Sequence, residues 1–152
     1  LVTGGLAALL ALLARPLIAH LIAPGFPAEQ QRLAVSLMRL DLLAILVFSL
    51  SGLVMAGLQA NQHFLLPAVA PAMYNGGQIF GILVLAPRVG IYGLVYGVIL
   101  GALLHLGVQT PALRRYGFRW EARLSLRDEG VRKVLALMGP RLATMFFIQV
   151  FF

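Results

Sequence analysis

The residues best suited to do chemistry are two charged side chains inside an apolar stretch. Arg39 and Asp41 lie within residues 33–58, which are otherwise mostly aliphatic or small. Charges in such a segment are costly in hydrocarbon, and they usually face a bundle interior or an aqueous pathway. Because they are two residues apart, they point to different faces of a helix and do not simply neutralise each other. Two interpretations stay open: both residues line a pathway, or Arg39 extends to the outer interface while Asp41 pairs with another helix.

No other combination of side chains in the sequence forms a reactive site. There are five acidic residues, and four of them lie in predicted loops. Paired-carboxylate motifs, nucleophile elbows, phosphate-binding loops and zinc-protease helices are all missing from the sequence. Cysteine is absent, and the histidines share no ligand spacing, lying at His20, His63 and His105. We therefore expect no enzymatic activity, no metal site and no cofactor.

The composition indicates a chain whose solvent is lipid. Hydrophobic residues make up 61% of the sequence and charged residues 11%, compared with about 45–50% and about 25% in soluble domains. The net charge of +7 could suggest nucleic acid, but no basic helix is patterned for a groove. Seven of the twelve Lys and Arg residues lie between Arg114 and Lys133. In a membrane protein one basic loop is an orientation signal, so we expect no nucleic-acid partner.

The sequence predicts four complete membrane spans and a truncated fifth. About 20 mostly apolar residues are needed to cross a bilayer core. Such segments cover residues 3–23, 33–58, 64–86 and 91–109, and a fifth begins at 140 and stops at 152. Prolines and glycines mark the breaks, among them Pro24, Pro27, Pro111 and Gly139-Pro140. We expect an all-α fold, a polytopic transmembrane helical bundle, and interpret the chain as an internal piece of a longer protein.

The loops predict the orientation of these spans. Residues 110–133 form a basic loop, whereas the two loops on the opposite side contribute only Arg32 and Arg88. The basic loop is therefore expected to be cytoplasmic, together with the turn at residues 59–63. Within this basic loop, Ser125 is predicted to cap a short interfacial helix.

Small and amide residues mark two further features of the spans. Gly93, Gly97 and Gly101 are four residues apart, which predicts a ridge that a neighbouring helix can approach closely. Asn75 and Gln78 lie among glycines in the third span. Such irregular backbone at membrane depth is tolerated where it is buried in protein or lines a watery cavity. For this second feature helix packing and cavity lining are both left open.

The order and spacing of short motifs resemble the MurJ/MviN family over nearly the whole chain. These motifs are Ala23-Pro24-Gly25-Phe26, Ser36-Leu37-Met38-Arg39-Leu40, Leu58-Gln59-Ala60-Asn61, Tyr74-Asn75, Gly90-Ile91-Tyr92-Gly93-Leu94, Gly130-Val131-Arg132-Lys133-Val134 and Leu137-Met138-Gly139-Pro140-Arg141. No single motif is specific, but the ordered set is. The resemblance implies spans three to six and the start of span seven of a fourteen-helix flippase. That flippase would belong to the multidrug/oligosaccharidyl-lipid/polysaccharide exporter superfamily.

The cargo implied by this resemblance is lipid II, the undecaprenyl-pyrophosphate-linked precursor of peptidoglycan, in the bacterial cytoplasmic (inner) membrane. A hydrated cationic cavity between two helical lobes would carry the anionic headgroup by alternating access. Gln149 matches a glutamine of the family. The candidate pathway residues are Arg39, Asp41, Asn75, Gln78 and Gln149. Membrane lipids and cell-wall synthesis proteins are the other expected partners. The alternatives are another exporter of the superfamily, for O-antigen, polysaccharide or drugs, and a non-transporting membrane scaffold.

Overall fold

The computed structural model describes residues 2–117 and 129–151, and all regular structure in those segments is helical. The chain divides into two units, Leu1–Phe118 and Arg119–Phe152. The first unit contains α1 (Val2–Leu17) with a π-helical turn (Ile18–Ile22), α2 (Ala28–Ala60), α3 (Leu65–Phe80) with a second π-helical turn (Gly81–Leu85), α4 (Ala86–Val89) and α5 (Tyr92–Arg115). The second unit contains α6 (Glu129–Phe151).

Four helical stretches are long and apolar enough to cross a membrane: Thr3–Ile22, Ala28–Ala60, Leu65–Val89 and Tyr92–Leu113. They carry large apolar side chains on their outer surfaces, for example Leu12 at 75% and Leu65 at 70% exposure. Water would make such surfaces unstable, whereas lipid solvates them. The prediction of an all-α, polytopic helical bundle is confirmed.

Proline and glycine shape the turns between these helices. Pro27 has an extended ψ of 150° and occupies the N-cap of α2, where its fixed φ suits a helix start. The end of α2 is closed by Gln62, whose φ is +59°, and by a 2.9 Å bond from the His63 N–H to the Leu58 carbonyl. This is the Schellman arrangement that satisfies terminal carbonyls. Gly90, with φ of +64°, ends α4.

Two helix ends differ clearly from the sequence prediction. The second span, expected from residue 33, begins at Ala28 because the helix starts directly after Pro27. Helix α5 continues past Pro111 to Arg115, where Ala112 and Leu113 are buried in an apolar cluster. Close packing of that extra turn against Val54 and Leu58 of α2 outweighs the hydrogen bond that proline removes.

Helix α6 is also continuous where a break was expected. It runs from Glu129 through Pro140 to Phe151, so the predicted separation of an interfacial helix from a fifth span at residues 139–140 is wrong. The Thr144 hydroxyl donates to the Pro140 carbonyl at 2.9 Å within the helix. The loop expected at 110–133 is helical at both ends, up to Arg115 and from Glu129. The predicted cap at Ser125 lies outside the described residues.

Helix α5 is the central element of the first unit, with α2 and α3 packed against it and α1 packed on α2. Near the C-terminal ends of α2 and α5 a small apolar core brings the two helices together. It consists of Val54, Leu58, Ala112 and Leu113, with Leu66 and Leu106 against it. Transfer of these side chains from lipid into the contact between helices gives no hydrophobic driving force. Close van der Waals packing and hydrogen bonds must therefore hold the helices together.

Glycines let α3 and α5 approach until their backbones touch. A methyl group added at Gly97 would lie 2.7 Å from the Cα of Gly81 and 3.1 Å from the Gly77 carbonyl oxygen. One added at Gly81 would lie 2.5 Å from the Cα of Gly97, and one at Gly101 would lie 2.5 Å from the Tyr74 carbonyl oxygen. We call Gly77, Gly81, Gly93, Gly97 and Gly101 the glycine seam. The seam requires glycine because no Cβ fits between the two backbones.

A substitution in the glycine seam tests this contact. Gly97→Leu is expected to lower the free energy of unfolding by about 1–3 kcal/mol, since overpacking forces the two helices apart. The matched control is Gly107→Leu in the same helix, where an added Cβ meets nothing within 4 Å. Membrane abundance and thermal unfolding of the full-length protein would be measured. Equal values for the two variants would refute the packing role of Gly97.

The long α2 allows the predicted orientation to be tested. Ala28 and Ala60 are exposed at opposite ends of this 33-residue helix, which is roughly 50 Å long. In a full-length protein without other cysteines, Ala28→Cys should react with a membrane-impermeant maleimide in intact cells. Ala60→Cys should react only after permeabilisation. The reverse pattern, or reaction of both in intact cells, would contradict the cytoplasmic placement of the basic loop.

Candidate functional site

A cationic cavity lies between α1 and α2. It has a volume of about 540 Å³ and is lined by Arg15, Ala19, Ala28, Gln31, Arg32, Val35, Ser36 and Arg39. We call it the arginine cavity. Three of its eight lining residues are arginines, and none is acidic. Such a concentration of like charge beside apolar helices favours anions.

Hydrogen bonds to backbone carbonyls hold the polar side chains of this cavity. The Arg39 Nε–H donates to the Ala11 carbonyl across the helix interface at 3.0 Å. Gln31 donates to the Ala23 carbonyl at 3.3 Å. Arg39 is thus directed toward α1.

A second cavity opens on another face of α2. It has a volume of about 400 Å³ and is lined by Asp41, Ala44, Ile45, Phe48, Ser49, Tyr74, Val98 and Ala102. We call it the Asp41 cavity. Its walls come from α2, α3 and α5, and they are mainly apolar and aromatic. Asp41 is half-buried and is the one charged residue in this lining, so a cation is the charge that would complement it.

A buried polar cluster joins α2 to α5 beside the Asp41 cavity. The Ser51 Oγ lies 2.6 Å from His105 Nδ1, and the Gln109 Nε2 lies 3.1 Å from each of these atoms. The Gln109 amide also donates to the His105 carbonyl at 2.8 Å, which fixes the amide orientation. All three residues are at most 2% exposed. Within the described residues the Gln109 Oε1 atom has no hydrogen-bond partner.

Phe48 connects the polar cluster to the Asp41 cavity. Its ring centroid lies 4.6 Å from that of His105 and 5.0 Å from that of Tyr74, the latter edge to face. These distances are those of favourable aromatic pairs. The cluster therefore lies next to the Phe48 and Tyr74 rings that line the cavity. Its hydrogen bonds fix the His105 ring against which Phe48 packs.

The structure separates the residues that the sequence singled out. Arg39 lines the arginine cavity, whereas Asp41 lines the other one. Asn75 is exposed and Gln78 half-buried on α3, and neither belongs to the lining of these two cavities. Gln149 is exposed on α6 in the second unit. No described group of three His, Asp or Glu side chains comes together as a metal site would require.

The sequence analysis did not bring together the residues that surround the two charges. Arg15 and Arg32 join Arg39 only because α1 and α2 pack together. Ser51 and Gln109 are 58 positions apart. A signal was available for part of this cluster, since His105 and Gln109 are four residues apart on one face of a span. Polar side chains on a membrane helix usually find partners on a neighbouring helix.

Four membrane-length helices, with charged and polar side chains placed between them, define a multi-pass helical membrane protein. A family model described as "Lipid II flippase MurJ" matches residues 1–151. The chain belongs to the MurJ family.

Curated relatives show the same similarity. The chain is 34% identical over 127 residues to the lipid II flippase MurJ of Burkholderia cenocepacia, a match covering 78% of this chain and 25% of the relative. It is 32% identical over 87 residues to the probable lipid II flippase MurJ of Borreliella burgdorferi, covering 57% and 17%. The probable lipid II flippase MurJ of Buchnera aphidicola is 31% identical over 122 residues, covering 78% and 24%. The chain thus spans a quarter or less of the length of these relatives.

The polar cluster generates a prediction about stability. Ser51→Ala should lower the free energy of unfolding by roughly 0.6–1.7 kcal/mol, the range for hydrogen bonds between membrane helices. The loss arises because His105 and Gln109 keep their polar groups but lose the hydroxyl between them. Ser49→Ala, at a half-buried serine two residues away, is the control. Thermal unfolding of the full-length protein in detergent gives the comparison, and equal stability of the two variants would contradict the role of Ser51.

Proposed function

We propose that this chain is part of a lipid II flippase of the bacterial cytoplasmic membrane. The observation that carries the proposal is the match of the family model to residues 1–151, nearly the whole chain. The four membrane-length helices support it. In this proposal the chain supplies spans three to six and the start of span seven of a fourteen-helix transporter. The protein moves its cargo and does not act as an enzyme.

The cargo sets an electrostatic requirement that the arginine cavity would help to meet. A pyrophosphate-linked headgroup carries about two negative charges and does not cross hydrocarbon unaided. Alternating access solves this problem by moving two lobes around a hydrated cavity. Arg39 is proposed to line that path, because its guanidinium group is held on α1 by the Ala11 carbonyl and borders a 540 Å³ cavity. The proposed partner is lipid II, with cell-wall synthesis proteins as further partners.

The other candidate pathway residues are proposed to have supporting roles. Asp41, Asn75, Gln78 and Gln149 are polar groups on membrane-length or apolar helices, and hydration of such groups favours a water-filled path. Asp41 is the one whose surroundings are best defined. Its cavity, with the rings of Phe48 and Tyr74 in the lining, is a suitable environment for a cation. This feature favours the second candidate function, a cation-coupled exporter of the same superfamily.

A translocation assay with Arg39 variants tests the proposal. The full-length gene should restore lipid II translocation in cells depleted of their own flippase. Arg39→Ala should reduce translocation about tenfold or more at matched protein level, since loss of a charged hydrogen-bond donor costs about 1.5–3 kcal/mol. Arg39→Lys should retain part of the activity, because it keeps the charge and loses the guanidinium fork.

Two outcomes of this assay would argue against the proposal. The control is Arg88→Ala, an exposed arginine in α4 outside both cavities, and it should behave as the wild type. Wild-type translocation by Arg39→Ala would remove Arg39 from the path. Failure of the full-length gene to restore translocation, with normal membrane insertion, would favour the exporter of another cargo or a non-transporting scaffold.

A further inference from the structure

We propose that the Asp41 cavity is a binding site for an organic ammonium ion that carries an apolar group, such as a quaternary or alkylated amine. The carboxylate of Asp41 balances the positive charge of this ligand, and the rings of Phe48 and Tyr74 contact its substituents. This assignment takes further the cation environment that Asp41 provides, because it names the chemical class of the cation. The site lies on a different face of α2 from the arginine cavity, and it does not depend on lipid II being the cargo.

The charge of the Asp41 cavity is that of a single carboxylate. Asp41 is the one charged residue among the eight that line the cavity, and no arginine, lysine or histidine is among them. The basic residue nearest in sequence, Arg39, donates to the Ala11 carbonyl at 3.0 Å and lines the other cavity. A half-buried carboxylate between membrane helices is costly without a partner charge. A bound cation therefore supplies the charge that the lining residues around Asp41 lack.

The side chains of the cavity favour an organic cation over a metal ion. Three of the eight lining residues have a side-chain oxygen, namely Asp41, Ser49 and Tyr74, and the other five end in methyl groups or a phenyl ring. The lining residues belong to helices, whose carbonyl groups are used in internal hydrogen bonds. Hard cations such as Mg²⁺ and Ca²⁺ need about six or more oxygen ligands, so they would have to keep most of their water. An ammonium ion is satisfied by one carboxylate and by aromatic rings.

The two aromatic rings of the cavity form an angled wall that a cation can contact. Phe48 and Tyr74 pack edge to face, with ring centroids 5.0 Å apart and ring planes at 67°. Phe48 is 39% exposed, so part of its ring remains open to a ligand. The Phe48 ring also packs on that of His105 at 4.6 Å, and the Ser51 hydroxyl lies 2.6 Å from His105 Nδ1. Because the wall is already held in place, it loses less side-chain entropy when a ligand binds.

The size and position of the cavity indicate what else the ammonium ion carries. Its volume of about 400 Å³ is within the range of ligand pockets, about 300–1,000 Å³. Ala44, Val98 and Ala102 give the cavity apolar walls. Ile45, another lining residue, is 54% exposed on a membrane-length helix, so lipid borders the cavity. A ligand of this site therefore combines a compact charged head with an apolar body, which a hydrated inorganic ion lacks.

The experiment measures equilibrium binding of tritium-labelled phenyltrimethylammonium to the full-length protein in detergent. Unlabelled phenyltrimethylammonium should displace the label from the wild type, whereas tert-butylbenzene, a neutral molecule of nearly the same shape, should not. Asp41→Asn should weaken binding at least about tenfold, because the carboxylate attracts the cation strongly in a medium of low dielectric constant. Phe48→Leu should weaken binding about fivefold, because the leucine side chain offers no aromatic face to the cation.

Two matched controls make the same chemical changes outside the cavity. Glu29→Gln removes an exposed carboxylate from the first turn of α2, and Phe80→Leu removes an exposed ring from α3. Neither residue lines the Asp41 cavity, so both variants should bind the labelled cation as the wild type does. Thermal unfolding of each variant shows whether it is folded. If Phe48→Leu unfolds because its packing on His105 is lost, Asp41→Asn, which keeps the size of the side chain, still tests the site.

Several results would overturn the ammonium site. They are the absence of saturable binding by the wild type, and binding by folded Asp41→Asn or Phe48→Leu that equals that of the wild type. Equally strong competition by tert-butylbenzene would make the cavity a site for neutral apolar molecules. Displacement of the label by an equal concentration of Mg²⁺ would make it a metal site. A protein that binds the cation as expected and fails to translocate lipid II would disprove the proposed function while leaving the ammonium site intact.

Discussion

The contact between the backbones of α3 and α5 determines most of the geometry of the first unit. In lipid, apolar surface is as well solvated by acyl chains as by another helix, so helices associate through close packing and hydrogen bonds. The glycine seam provides the close packing, since Gly81 and Gly97 leave no room for a Cβ between them. The short distance between α3 and α5 in turn places Tyr74 from α3 and Ala102 from α5 in the lining of one cavity with Asp41. Larger residues in the seam would separate the walls of the cavity as well as the helices.

Helix α2 divides the charge of the first unit between two of its faces. Arg39 is bound to α1 on one face, and Asp41 borders an aromatic cavity with α3 and α5 on another. Two opposite charges so close in sequence would form an ion pair if they shared a face, and neither would then be available to a ligand. Their separation leaves one environment suited to anions and one suited to cations on two faces of the same helix.

The fold class could be read from the sequence because length and apolar composition decide whether a helix crosses a bilayer. The ridge of Gly93, Gly97 and Gly101 could be read as well, since it depends on local spacing. The surroundings of the charges could not, because Arg15 meets Arg39 and Ser51 meets His105 only through packing of distant segments. The helix through Pro111 was mispredicted for a related reason. Its extra turn is held by contacts of Ala112 and Leu113, which outweigh the local tendency of proline to end a helix.

The π-helical turn at Gly81–Leu85 keeps the two helices in register along the seam. Gly77 faces Gly101 and Gly81 faces Gly97, four residues further along each antiparallel helix. Gly93, four residues beyond Gly97, faces the backbone at Ala86, which is five residues beyond Gly81. A π-helical turn accommodates one extra residue in a helix, so the mismatch of one is absorbed between the second and third contacts. Loss of one residue between 82 and 85 would convert the turn to regular α-helix and preserve all three contacts. Loss of one residue between 78 and 80 would instead shift Gly77 away from Gly101. The number of residues is therefore strictly constrained before Gly81 and adjustable by one after it.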